Sequence, residues 1–426
     1  MERTGKQAEL LPNIDVYLLL GRILFHNGAT VTNIVDSIEY LHRYFNKDDE
    51  LHILVEYDAI IITDTNKKRF ETKIDKARGF STVNIQILQE ISNFLKNLPE
   101  QILSPAAIWE KLLIIEKMTG SIRGCKAHLL LGFTAVTFGF LNNTDLWGAL
   151  CIFPAAIVVS FCRTTLLARN YNIFLVFLLA LFAGEVVVCL LMSFVPTQTP
   201  LIAVVSLALP LVPGFPLING GLDILRNRNT VGVDRIAYCV MMIVTLTIAV
   251  FIPVKLFSNA MHARFVWQLS DAWLLTTNCL AGGVGALALA ITFNSPRQLL
   301  LLFFLGGLTA RGLRTVGIVF FGVDMATAAL CGTMAVTISS HFFLKRYNVR
   351  MATYSLVCIL PMIPGYFFIH GISGLYVLSK LQAAEITFPF YASVTQDILH
   401  AVFIVLALLV GIIFPVLVMD GRNPKI

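Results

Sequence analysis

Asn219 and Asp223 stand four residues apart, a spacing that puts an amide and a carboxylate on one face of a helix. His370 offers a third polar group in another apolar stretch, and Asn219 and His370 either hydrogen-bond a small polar solute or tie packed helices together, while Asp223 also fits the cytoplasmic interface. Glu185, in Leu181-Phe182-Ala183-Gly184-Glu185-Val186-Val187-Val188, and Asp324, in Phe321-Gly322-Val323-Asp324-Met325, are carboxyls inside apolar runs. An ionisable group there is costly in lipid and faces the protein interior or a water-filled cavity. Each fits a proton carrier, and each equally fits a structural ion pair. Arg311 and Arg314, assigned to a short outer loop, are placed either to neutralise Asp324 or to bind an anionic substrate.

The elements that must hold these groups are unusual. Leu209-Pro210-Leu211-Val212-Pro213-Gly214-Phe215-Pro216-Leu217-Ile218-Asn219-Gly220 places three prolines and a Pro-Gly pair inside an apolar run, which predicts a spanning helix broken at mid-depth. Leu360-Pro361-Met362-Ile363-Pro364-Gly365 repeats the pattern, and Pro361 follows Pro210 by 151 residues (361 − 210). Pro364 and Gly365 keep that offset from Pro213 and Gly214, and His370 keeps it from Asn219. Interrupted helices at matching places in two halves point to a transporter's binding site. Each break also creates a helix N-terminus inside the membrane, where unpaired N–H groups favour a carboxylate.

Composition agrees. Hydrophobic residues make up 57% of the 426 residues and charged residues only 14%, against roughly 25% charged in a soluble chain. Ten spans can be drawn: 129–141, 146–162, 173–194, 201–220 and 236–257, then 273–293, 299–313, 316–339, 354–378 and 398–419. With the amino terminus inside, the inner segments hold Lys111, Lys117, Arg123, Lys126, Arg163, Arg169, Arg226, Arg228, Arg235, Arg297, Lys345, Arg346, Arg350, Arg422 and Lys425. The outer segments hold Lys255, Arg264, Arg311, Arg314 and Lys380. That bias puts both termini in the cytoplasm, and it reads the net charge of +6 as an orientation signal rather than a nucleic-acid footprint. Broken spans four and nine are five apart, so the second copy of the repeat is inverted.

Residues 1–125 are polar enough to form a soluble α+β domain, followed by one five-span repeat over 126–260 and another over 261–426. In the domain, helices are predicted over 13–26, 30–44, 85–98 and 105–117. Strands are predicted over 51–57, 59–65 and 69–73, with Asn66-Lys67-Lys68 as a hairpin turn and helices covering one sheet face. His26, Asp36, His42, His52 and Asp58 lack the spacing of a metal site or of a nucleophile with its base. No catalytic residue, metal site or cofactor is therefore expected, and the domain is assigned to gating or assembly. The eight cysteines form no C-x-x-C pair and read as buried small hydrophobes; no nucleotide-binding loop is present.

Pro210 to Asn219, then Asp223, then Asn229-Thr230-Val231-Gly232-Val233-Asp234-Arg235, resembles the signature of the threonine/serine exporter family. His26-Asn27-Gly28-Ala29, Asp58 to Thr63 and Lys76-Ala77-Arg78-Gly79 are similar to that family's amino-terminal domain. The second repeat resembles the small partner subunit of the two-component members, so the chain looks like a natural fusion of both subunits. The resemblance implies a polytopic α-helical exporter in the bacterial cytoplasmic membrane, driven by the proton gradient, moving threonine and serine in one branch and succinate in another. Its partners would be that substrate, protons and the lipid bilayer, and assembly as a homo-oligomer is compatible with it. The competing reading is a membrane-anchored enzyme or sensor acting through residues 1–125.

Overall fold

A computed structural model describes residues 12–45, 50–66, 69–76, 83–100, 102–118, 124–257, 270–344, 346–382 and 385–420. The N-terminal domain begins with α1 (Asn13–His26) and α2 (Val31–Phe45) and continues as the antiparallel sheet β1 (Glu50–Val55), β2 (Ala59–Asn66), β3 (Arg69–Lys76) in that spatial order. The register pairs Asn66 with Arg69. The predicted turn residues Lys67 and Lys68 lie outside the described residues. Helices α3 (Ile85–Lys96) and α4 (Pro105–Glu116) complete the domain. Each starts on a side-chain cap: Asn84 accepts from Ile87 N at 3.2 Å and Ser104 from Ala107 N at 3.3 Å, each filling an orphan backbone donor.

One face of the sheet is covered. Ile60 and Ile62 are fully buried, and the Ile60 side chain lies under Gly21 of α1. Helix α2 buries Val31, Ile34, Val35, Ile38, Leu41 and His42, the stripe expected of an amphipathic helix on a core. β2 and β3 run longer at their C-terminal ends than the β-rich residues alone suggest, because ladder pairing carries them to Asn66 and Lys76, whereas β1 stops at Val55, two residues short of the expected end.

The membrane part follows as α5 (Cys125–Leu141), α6 (Leu146–Ala168), α7 (Ile173–Phe194), α8 (Pro200–Ala208), α9 (Gly214–Leu225), α10 (Asn229–Leu256), α11 (Asp271–Thr292), α12 (Leu300–Phe321), α13 (Met325–Leu344), α14 (Met351–Ile359), α15 (Gly365–Leu378) and α16 (Phe388–Asp420). Seven of the described helices are long and apolar enough to cross a membrane. The pairs α8–α9 and α14–α15 pass that test jointly, bent by 58° and 51° at their breaks, and α5 is a shorter apolar helix.

The halves pack alike. In the first, α6 lies on α5 and α7, α10 on α7 and α9, and α8 inside against α5, α6, α7 and α10. In the second, α12 lies on α11 and α13, α16 on α13 and α15, and α14 inside against α11, α12, α13 and α16. Helix starts keep the offset of 151: Pro200 and Met351, Gly214 and Gly365. So do the left-handed residues Asn143 (φ 63°) and Asn294 (φ 52°), which turn α5 into α6 and α11 towards α12. The two copies meet where α5 packs on α11, α10 on α15 and α9 on α16.

Several span boundaries differ from expectation. The seventh span does not end near Leu313; α12 runs on to Phe321, and the turn comes at Gly322, which is left-handed at φ 62° and lets Val323 N–H reach back to Gly317 O. Arg311 and Arg314 therefore lie within a spanning helix rather than in an outer loop. Asp324 moves the opposite way, from inside a span to the connection. Helix α16 begins ten residues before the apolar core of its span, and its 33 residues are about 50 Å long, more than the ~30 Å hydrocarbon layer.

The N-terminal domain sits on one end of this bundle, here termed the domain face. Its backbone bonds Phe293 O from Ile85 N (2.9 Å) and Asn294 O from Gln86 N (3.2 Å), and its side chains reach Tyr347 O, Asn348 and Arg350. These are connections of the second half that charge assigns to the inside. On the opposite, far face, Asp145 ties the α5–α6 turn to the α7–α8 connection.

Candidate functional site

The two breaks face each other. A Cβ added to Gly214 would overlap Ile363 and come within 3.0 Å of Leu360, and one added to Gly365 would come within 2.9 Å of Leu209 and 3.4 Å of Val212. Leu360 and Ile363 are the 151-residue mates of Leu209 and Val212, so the contact is reciprocal about the axis relating the halves. Neither break has room for a side chain at its glycine. Pro213 and Pro364 hold the N-cap positions of α9 and α15 with no side-chain cap, leaving first-turn amides without a side-chain acceptor.

Polar groups with unsatisfied atoms gather around these breaks. Ser206 on α8 and Ser355 on α14 are fully buried, and neither hydroxyl has a hydrogen-bond partner among the described residues. Glu185, midway along α7, is fully buried with neither carboxyl oxygen bonded among those residues, and its neighbour Gly184 packs against Val159 and Leu207.

Arg311 and Arg314 supply the positive charge. Arg314, 7% exposed, donates NH1 to Met362 O in the turn of the second break at 3.3 Å, and its Nε has no partner among the described residues. Arg311 donates Nε to Asn278 Oδ1 (2.9 Å) and NH2 to Leu141 O (2.7 Å). No carboxylate pairs with either among the described residues. Asp324 does not neutralise them: it caps α13, its Oδ1 accepting from Ala326 N and Thr327 N at 3.0 Å each. The Thr327 hydroxyl and N–H hold that carboxyl below the ordinary carboxylate range.

Asn219 and Asp223 do come together, but on the N-terminal domain. Asn219 Nδ2 donates to Gly28 O at 3.0 Å. Asp223 accepts from Val31 N at 3.0 Å through Oδ1 and from Arg235 NH1 at 2.7 Å through Oδ2, while Arg235 NH2 donates to Ala29 O at 3.0 Å. Asp223 and Arg235 are both fully buried. The turn between α1 and α2 is thus held by three side chains of the first half. Asp223 is the centre of this buried junction between the domain and the bundle.

His370 faces Asp397 rather than an interior cavity. Its Nδ1 lies 2.5 Å from Asp397 Oδ2, and its ring stacks on Tyr366 at 5.6 Å between centroids. Asp397 escaped the sequence reading because it precedes the apolar core of the last span. Arg235 was taken as a loop charge, although it closes the motif that also contains Asp234. Asp145, also missed, accepts from Thr197, Thr199 and Gly148 N through Oδ1 and from Gln198 N through Oδ2. Burial opposes its charge, but these bonds outweigh it and hold the carboxyl below its ordinary value. Among the described residues no three His, Cys, Asp or Glu side chains come together as a metal site.

Comparison with known proteins places this architecture. A threonine/serine exporter family model matches residues 15–257, more than half of the chain. The chain belongs to that family. A second model, described as Threonine/Serine exporter, ThrE, matches residues 278–418, so the domains of both subunits are joined in one polypeptide. The family member is 26% identical over 238 residues to a "Probable succinate transporter subunit YjjP" of Escherichia coli, covering 54% of this chain and 91% of that one. It is 32% identical over 108 residues to the protein of the same description from Klebsiella aerogenes, covering 25% of this chain and 42% of that one. No solved structure matches. This threonine/serine exporter family protein is thus a multi-pass membrane exporter.

Proposed function

We propose that the protein is a secondary transporter that exports a small polar carboxylate, threonine, serine or succinate, from the cytoplasm of a bacterium, with its site between the broken helices. One observation carries the reading: Arg314 is buried against the second break with an unsatisfied Nε and no acidic partner among the described residues. Burying an uncompensated charge is expensive, so such a group calls for an anion. Arg311, one turn away, supplies a second guanidinium, and a dicarboxylate such as succinate matches two cations better than a zwitterionic amino acid does. That matching, together with the relatives described as succinate transporter subunits, favours succinate.

In this reading the halves rock against each other about the facing glycines, exposing the site to each face in turn. The first-turn amides of α9 and α15 add donors for the carboxylate. Glu185, with neither oxygen bonded, is the candidate for carrying the proton that couples transport. The domain face is the cytoplasmic one, and Asn219, Asp223 and Arg235 close it by holding the Gly28–Val31 turn.

Binding tests the site directly. Succinate should raise the thermal stability of the purified protein in lipid nanodiscs, and Arg314→Gln should weaken that effect by at least about tenfold in concentration, the loss expected for a charge-assisted hydrogen bond. Equal stabilisation of wild type and Arg314→Gln would remove Arg314 from the site.

A further inference from the structure

Arg314 has a mate. Helices α6 and α12 correspond at the offset of 151, and that offset carries Arg314 onto Arg163 and its acceptor Met362 onto Leu211. Because the repeats are inverted, the two arginines lie on opposite sides of the breaks. Arg314 is in the last two turns of α12, towards the far face, and Arg163 is in the last two turns of α6, towards the domain face. The mates are not doing the same thing. Arg314 bonds the carbonyl at its break, whereas the Arg163 guanidinium lies 5.9 Å from the centroid of the Phe177 ring, and its Nε has no partner among the described residues. The sequence builds in this difference, since the position of the second half corresponding to Phe177 is Ala328, which offers Arg314 no ring to rest on.

We propose that Arg163 is the anion-binding counterpart of Arg314 in the opposite-facing state, where it leaves Phe177 and donates to the carbonyl of Leu211 while Arg314 releases Met362. An inverted-repeat transporter reaches its second state by letting each half adopt the arrangement of the other, and the Arg314–Met362 contact then reappears as Arg163–Leu211. Each face of the membrane thereby meets one guanidinium at a break. The inference rests on the transport reading above and adds a substrate-contacting residue, Arg163, to it.

Two readouts on the full chain separate the proposal from that reading. In membrane vesicles, the pairs Arg163→Cys with Leu211→Cys and Arg314→Cys with Met362→Cys are treated with a short bifunctional thiol reagent, and cross-linked peptides are identified by mass spectrometry. Both pairs should cross-link, and Phe177→Ala should raise the yield of the 163–211 link. A 314–362 link without any 163–211 link overturns the proposal whatever the flux. In oriented proteoliposomes, Arg163→Gln should raise the half-saturating concentration of labelled succinate at the domain face at least about tenfold while changing it less than about twofold at the far face, with Arg163→Lys recovering part of the loss and Arg314→Gln giving the reverse pattern. Equal effects at both faces, or none, also overturn it. If the wild type moves neither succinate, threonine nor serine, the transport reading for these substrates fails, and the cross-links alone decide the exchange.

Discussion

Replacing Asp223 by alanine removes one member of a buried ion pair and leaves two groups stranded. Arg235, with no exposed surface, keeps Ala29 O and the Phe25 ring, 5.7 Å away, but loses its carboxylate, and Val31 N–H loses its acceptor. Breaking a buried pair on one side costs about 3–5 kcal/mol, and orphaning a buried amide costs about 1–3 kcal/mol on its own. The two are not additive, since the turn can detach and let water reach both groups. The middle of even the smaller range, about 2 kcal/mol, corresponds to more than tenfold in the opening of the α1–α2 turn. Hydrogen exchange read by mass spectrometry on the peptide covering residues 27–33 measures that opening. The expected result is exchange at least tenfold faster in Asp223→Ala, with part of the protection restored in Asp223→Ala combined with Arg235→Met, which removes the stranded charge. Unchanged exchange in Asp223→Ala would show that the domain is held by other contacts and would refute the reasoning.

Three further outcomes follow from the same geometry. Gly214→Leu and Gly365→Leu place side chains into the mate break, and overpacking there costs about 1–3 kcal/mol or more, so both should abolish transport while leaving membrane insertion, read by protease protection, intact. Asp145 is held charged by bonds made only in the fold, so its folded pKa lies below the unfolded value of about 3.9. Its stabilisation is then fully present above pH ~3.9 and is lost as pH falls through the folded value, so thermal stability should drop on acidification, and less so in Asp145→Asn, which starts lower. Asp324→Ala removes the cap on α13, and should speed exchange of the Ala326 and Thr327 amides without altering the half-saturating concentration for substrate, because the residue lies outside the site.

The broken helices were readable in the chain because proline and glycine are conspicuous where every backbone donor must be satisfied internally. Two copies at one offset then fixed the repeat. The charged groups were harder to place, since a cation near a span end looks the same in sequence whether it is solvated or buried. Arg311 and Arg314 read as a loop for that reason. They stay in the helix because acceptors arrive from 33, 170 and 48 residues away, at Asn278, Leu141 and Met362, and local sequence carries no trace of those distances. The same holds for Asn219, whose partner Gly28 is 191 residues earlier. Its place just past a break suggested a solute, whereas the fold spends its amide on the domain. Glu185 was recognised because a lone acid in an apolar run has few alternatives to full burial, and it is fully buried.

The most direct measurement is flux in proteoliposomes: labelled succinate beside labelled threonine and serine, with and without a proton gradient, for the wild type, Gly214→Leu and Arg314→Gln. The account predicts gradient-dependent movement of succinate by the wild type, none in Gly214→Leu, and a half-saturating concentration raised at least about tenfold in Arg314→Gln. Carboxylate flux that persists in both variants would contradict a site built between the two breaks.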